Sequence, residues 1–124
     1  MADTALFLGW GGTYPGRERL ARETYTELVD VLNRLKAEGE IEGFETVLLA
    51  PHGGELDGFM LVYGEPDKLA TLQMRDALNR VQMRARLDHA KFSVIWAVTG
   101  DEVKAEFELL DEVVEHYERE AQLA

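Results

Sequence analysis

Three histidines, one arginine at a glycine-rich loop and a few aromatic side chains hold most of the chemistry that this 124-residue chain could perform. His52 follows Pro51 in a turn-forming stretch, where a titratable imidazole could act as a general base or a hydrogen-bond donor. A polar side chain exposed on a loop is the plainer reading. His89 stands beside Asp88, a carboxylate that could orient the ring as in many acid/base pairs, although neighbours on an extended segment point opposite ways. Glu112, His116 and Glu120 recur every four residues and would share a helix face, a spacing that can bind a metal. A solvated charged face is the default for such a run, so no metal site is assigned. Cysteine is absent, which removes disulfides, thiolate ligands and thiol nucleophiles together. Nothing resembles a nucleophile triad, and no cofactor is called for.

A second group of residues could bind rather than react. Gly9-Trp10-Gly11-Gly12-Thr13-Tyr14-Pro15-Gly16 opens a helical segment, so its N–H groups and the helix dipole could receive an anion. The stretch lacks the Gly-Lys-Ser/Thr ending of a P-loop and does not meet GxGxxG spacing with a following acid, which leaves a mechanical turn as the competing reading. Trp10, Tyr14 and Arg17 could line the mouth of a cavity and hold a carboxylate. Tyr63, Met74 and Trp96 are candidate cavity liners, with plain core packing as their alternative.

The elements that must position these residues follow from periodicity. Thr4 to Trp10 predicts a first strand, apolar on both faces. From Arg17 the period becomes helical, with Leu20, Ala21, Thr24, Tyr25, Leu28, Val29, Val31, Leu32 and Leu35 on one broad side, until Gly39. Phe44–Ala50 and Gly58–Tyr63 predict an antiparallel hairpin around Pro51-His52-Gly53-Gly54-Glu55. Gly64 to Asp67 is a helix entry with Asp67 as a cap, and the helix is expected to continue toward Leu87. It carries two apolar stripes: Ala70, Met74, Ala77, Leu78, Val81 and Ala85 facing the sheet, and Leu69, Leu72, Met83 and Leu87 more than a quarter-turn away, which needs another partner. Phe92 to Thr99 predicts a fourth strand with both faces covered. A last helix after Gly100-Asp101 places Val103, Phe107, Leu110, Val114, Tyr117 and Ala121 on one side.

The order is βαββαβ plus a tail helix, an α+β fold with a four-stranded antiparallel sheet carrying its first two helices on one face. Residues 1–124 are expected to form one domain. Because the first, third and fourth strands are apolar on both faces, the other face should be covered too, in part by the C-terminal helix and otherwise by a second copy related by a two-fold axis.

Composition excludes several classes. A net charge of −11 argues against general nucleic-acid binding. No apolar run reaches the roughly 18 residues of a membrane helix, and Met1-Ala2-Asp3 opens no basic-then-apolar leader, so a cytoplasmic location is expected. The charge is also uneven. Lys68 to Lys91 carries six bases against two acids, whereas Asp101 to Glu120 carries nine acids against Lys104 and Arg119. Solvated helix faces are the simple explanation, and pairing between subunits the sharper one.

Together, the element order and the two-sided strands resemble the dimeric α/β barrel group of ferredoxin-like proteins, which includes antibiotic-type monooxygenases and muconolactone isomerases. Gly9-Trp10-Gly11, Pro15-Gly16-Arg17-Glu18 and Pro51-His52-Gly53-Gly54-Glu55-Leu56-Asp57-Gly58-Phe59 look like small bacterial proteins of this type with no assigned activity. The resemblance implies a homodimer that holds a small organic molecule between sheet and helices. It matches no catalytic residue set position by position. The expected function is therefore a homodimeric small-molecule-binding protein or cofactor-independent enzyme. The alternative is a non-enzymatic interaction module using the middle and C-terminal helices.

Overall fold

The computed structural model describes residues 3–123; Met1 and Ala2, on which the reading of the leader partly rests, lie outside the described residues. The elements are β1 (Thr4–Trp10), α1 (Glu18–Ala37), β2 (Gly43–Leu48), β3 (Gly58–Tyr63), α2 (Pro66–Leu72), α3 (Asp76–Asp88), β4 (Ser93–Val98) and α4 (Asp101–Leu123). All strands pair antiparallel in the order β2-β3-β1-β4, the ferredoxin-like arrangement.

Side-chain alternation gives the sheet two unlike faces. Leu6 and Leu8 of β1 lie opposite Val62 and Met60 of β3 and, on the other side, Trp96 and Val94 of β4. Leu6, Leu8, Met60 and Val62 are buried in a core shared with Leu28, Val31, Leu32 and Leu35 of α1 and Leu78 and Val81 of α3. The bulkier set of β4, Phe92-Val94-Trp96-Val98, thus faces the helices. Leu20, expected within the buried stripe of α1, is exposed instead.

The single helix expected after Pro66 is two. α2 opens with Glu65, not Asp67, as its N-cap and Pro66 in its first turn, and it ends at Leu72. Arg75 is extended (φ −67°, ψ 126°) and starts α3 afresh. The break resolves half of the two-stripe conflict. In one continuous helix Leu72 and Leu78 would point about 120° apart at 100° per residue. With the turn between them, Leu69 and Leu72 join the same core as Leu78 and Val81. Ala70, Met74 and Ala77, assigned to the sheet side, are exposed, while Met83 and Leu87 keep no cover.

The opposite sheet face carries Phe7, Phe59, Leu61, Tyr63 and Ile95. Phe7 stacks on Phe59 at 5.1 Å. Among the described residues no helix covers it. Every residue of α4 from Asp101 to Leu123 is exposed, so the expectation that the C-terminal helix packs on this sheet is not met within one chain. β4 is an edge strand with Ile95 53% exposed, not the doubly covered strand expected. Among the described residues, no helix is long and apolar enough to cross a membrane.

Candidate functional site

The glycine-rich loop is a clamp that ties the end of β1 to the junction between α3 and β4. Gly11 N donates to Ala90 O at 2.7 Å, Ala90 N returns to Gly12 O at 2.9 Å, and Tyr14 N donates to Asp88 O at 2.8 Å. Thr13 and His89 form a β-bridge. A side chain at Gly11 would place its Cβ 2.8 Å from Ala90 O and 2.9 Å from Glu55 O, so only glycine permits this approach. Since the Gly11 and Tyr14 N–H groups are taken up by backbone carbonyls, the loop offers less to an anion than its composition suggested.

The clamp brings Trp10 and His89 together, their ring centroids 6.2 Å apart and tilted by 54°. Both line a cleft of about 430 Å³ between the helix-facing side of the sheet and the inner sides of α1 and α3. Its apolar wall is Trp10, Ala21, Leu28, Leu48, Ala85 and Phe92, and its polar groups are Thr13, Glu18, Arg22, Thr24, Tyr25 and His89. Tyr25 is held at both ends, its hydroxyl 2.9 Å from Thr46 Oγ1 and its ring 5.6 Å from the Arg22 guanidinium. The Thr24 hydroxyl donates to Asp88 Oδ2 at 2.6 Å in a buried contact. Asp88 therefore pairs with Thr24, while His89 Nδ1 is buried without a hydrogen-bond partner; the Asp88–His89 pairing considered from their adjacency does not form. A larger trough of about 500 Å³ runs along α1 between Arg19, Arg22, Glu23, Thr26, Glu27 and Asp30, on one helix face with no opposing wall.

The other sequence candidates lie apart from this cleft. Tyr14 and Arg17 pack on each other, the guanidinium 5.6 Å from the ring centroid, and Arg17 hydrogen-bonds the Leu87 carbonyl, bracing the loop against α3. His52 organises its own turn: Nδ1 accepts from Gly54 N at 3.1 Å, and Nε2 is 2.6 Å from Leu56 O, an arrangement that suits the neutral ring protonated at Nε2. Tyr63 is on the outer sheet face and donates to Glu45 Oε2 at 3.1 Å; burial and that carboxylate push its phenol above the usual range. Met74 is 85% exposed in the turn between α2 and α3, and Trp96 is half exposed at the sheet edge. His116 pairs with Glu120 at 3.1 Å, and among the described residues no group of three or more His, Cys, Asp or Glu is placed to hold a metal ion.

Thr13, Glu18, Arg22, Thr24, Tyr25 and Phe92 were not singled out as site residues by sequence reasoning. The signal was present in Thr24 and Tyr25, two hydroxyl-bearing residues on an otherwise aliphatic helix stripe.

No family model and no curated protein matches the chain. Solved structures do. A dimeric protein of unknown function with a ferredoxin-like fold from Bacteroides fragilis superposes with a TM-score of 0.55 at 7% identity, covering 77% of this chain and 96% of its own. A protein described as an antibiotic biosynthesis monooxygenase from Chloroflexus aurantiacus gives 0.53 at 10% identity, covering 78% and 93%. An EthD-family protein from Bacillus halodurans gives 0.57 at 13% identity, covering 78% and 98%. At these identities the likeness extends to the fold, which is ferredoxin-like and shared with dimeric and monooxygenase-type proteins.

Proposed function

We propose that this chain is a single-domain, cytoplasmic, homodimeric protein that binds a small organic molecule, or acts on one without a cofactor, in the cleft between its sheet and its helices. The observation that carries the reading is the cleft itself. Its volume of about 430 Å³ falls in the range of small-molecule sites, and it combines a continuous apolar wall with a few convergent polar groups. The ligand that fits is largely apolar, planar enough to lie along Trp10 and Phe92, with one or two hydrogen-bonding groups toward His89 and Thr13. The dimeric protein from Bacteroides fragilis supports pairing, and the apolar outer sheet face supplies the surface for it.

The chain provides its own reporter, because Trp10 lines the cleft and Trp96 does not. In a Trp96→Phe variant, a screen of small aromatic and aliphatic acids, phenols and ketones should yield compounds that shift or quench Trp10 emission. A second change, Ala85→Phe, should block the response by filling the cleft. If no compound perturbs Trp10, or if Ala85→Phe leaves the response intact, the site is misplaced.

The exposed apolar stripe of α4 favours a second reading, a protein-interaction module. It predicts binding of another protein through the middle and C-terminal helices, without need of a homodimer, and an inert cleft.

A further inference from the structure

Among the described residues two further apolar surfaces remain unpartnered, one on an acidic helix and one with arginines at its rim. One is α4, whose stripe Val103, Phe107, Leu110, Val114 and Tyr117 recurs at spacings of four, three, four and three with none of it buried. An amphipathic helix draws most of its stability from packing that stripe, so α4 needs a surface to lie on. The other is a groove of about 360 Å³ between α1 and α3, with Leu20 and Leu87 on its walls, Thr24 and Asp88 between them, and Arg17 and Arg84 at its rim. Leu20 and Leu87 are 51% and 64% exposed there.

We infer that α4 is an exchanged arm: the apolar stripe of α4 from one copy of the chain lies in the α1–α3 groove of a second copy, reciprocally. The inference rests on the homodimer proposed above and adds the element that completes it. Charge selects the groove among the alternatives. Residues 101–120 carry a net −7, whereas the groove is rimmed by Arg17 and Arg84, the latter also paired with Glu27 of α1, and the segment from Lys68 to Lys91 carries +4 before its pairing with Glu38, Glu40 and Glu55 of neighbouring elements. Pairing α4 with another α4 would set −7 against −7, and the outer sheet face presents Glu45 beside Tyr63 instead of a base. Reach is sufficient, since 23 residues of helix span about 34 Å and α4 departs from β4, one of the two edges of the sheet. The structural relatives are covered over 93–98% of their own length but cover 77–78% of this chain, which leaves roughly a fifth of it unmatched, a share close to that of α4 with 23 of 124 residues.

The cysteine-free sequence makes the test direct. Leu87→Cys and Leu110→Cys are made in separate full-length chains, mixed and oxidised. A disulfide requires the two Cα atoms within about 7 Å, so it reports contact. The expected result is a covalent Leu87→Cys/Leu110→Cys heterodimer whose yield falls as salt is raised, because the pairing of an acidic helix with an arginine-rimmed groove is screened. A mixture of Leu61→Cys and Leu110→Cys should give little product. A dominant product at Leu61 would overturn the inference, because α4 would then lie on the outer sheet face. So would a monomer-sized disulfide in a chain carrying both Leu87→Cys and Leu110→Cys, which would place α4 in its own groove. A dimer in sedimentation without the Leu87 cross-link overturns the arm alone, whereas a monomer at all concentrations removes the dimer reading as well.

Discussion

Trp10 owes its place to a glycine. Gly58 lies directly across the ladder from it, and a Cβ there would come 2.9 Å from Trp10 Cζ2 and 3.0 Å from Val47 O. The carbonyl cannot yield without breaking the β2–β3 pairing, so the indole must. Gly58→Ala should therefore displace Trp10, shift its emission and destabilise the fold by about 1–3 kcal/mol, the usual cost of overpacking; an unchanged spectrum would mean that the ring moves freely. His52 predicts the opposite pattern. Its two hydrogen bonds close an exposed turn whose side chains do not line the cleft, so His52→Ala should cost about 1 kcal/mol and leave ligand-induced changes in Trp10 emission intact. Tyr63 makes the pH prediction. Its phenol is raised above the ordinary tyrosine value by burial and by Glu45, so the folded state favours the neutral form. The contribution is fully present below the unfolded pKa near 10 and is lost as pH rises through the folded value. Alkaline titration followed by tyrosinate absorbance should show a late-ionising step that Tyr63→Phe removes.

At the level of elements, the turn at Gln73-Met74-Arg75 decides which residues are core. Leu72 is 1% exposed at the end of α2 and should cost about 2–5 kcal/mol on truncation to Ala, whereas Met74→Ser, two residues on at 85% exposure, should change the melting free energy by less than about 0.5 kcal/mol. Equal effects would restore the single helix. This break was not legible in the sequence because residues 73–75 contain neither glycine nor proline, and the tertiary demand to bury both Leu69 and Val81 overrode local propensity. The element order, the antiparallel hairpin and the helix-facing stripe of α1 were legible, since they rest on periodicity alone. The site was legible only in part. Trp10 and His89 could be named, but their meeting depends on backbone bonds between Gly11 and Ala90, residues 79 positions apart whose pairing no local pattern announces. Tyr63, Met74 and Trp96 were chosen by type, and type does not say which sheet face, turn or edge a side chain reaches.

At the scale of the whole molecule, the two-sided strands pose a question that one chain does not answer. Phe7, Phe59 and Leu61 are only half buried and Ile95 is exposed, all on the sheet face away from α1, α2 and α3. A two-fold pairing of this face would set Ile95, which lies opposite Phe7 on β1, near its own counterpart or the partner's aromatic pair. Ile95→Glu then places a carboxylate in that layer and, by symmetry, two of them per dimer. In a protein that already carries −11 per chain, this repulsion cannot be offset by neighbouring bases on the sheet. Sedimentation equilibrium should show association weakened by at least about tenfold, or about 1.4 kcal/mol, with far-ultraviolet circular dichroism unchanged because the residue is already more than half exposed in the isolated chain. The Leu87→Cys/Leu110→Cys contact should weaken with it if sheet and arm belong to one interface. Retention of the cross-link by an Ile95→Glu chain would instead separate the two surfaces and leave α4 as the sole source of assembly.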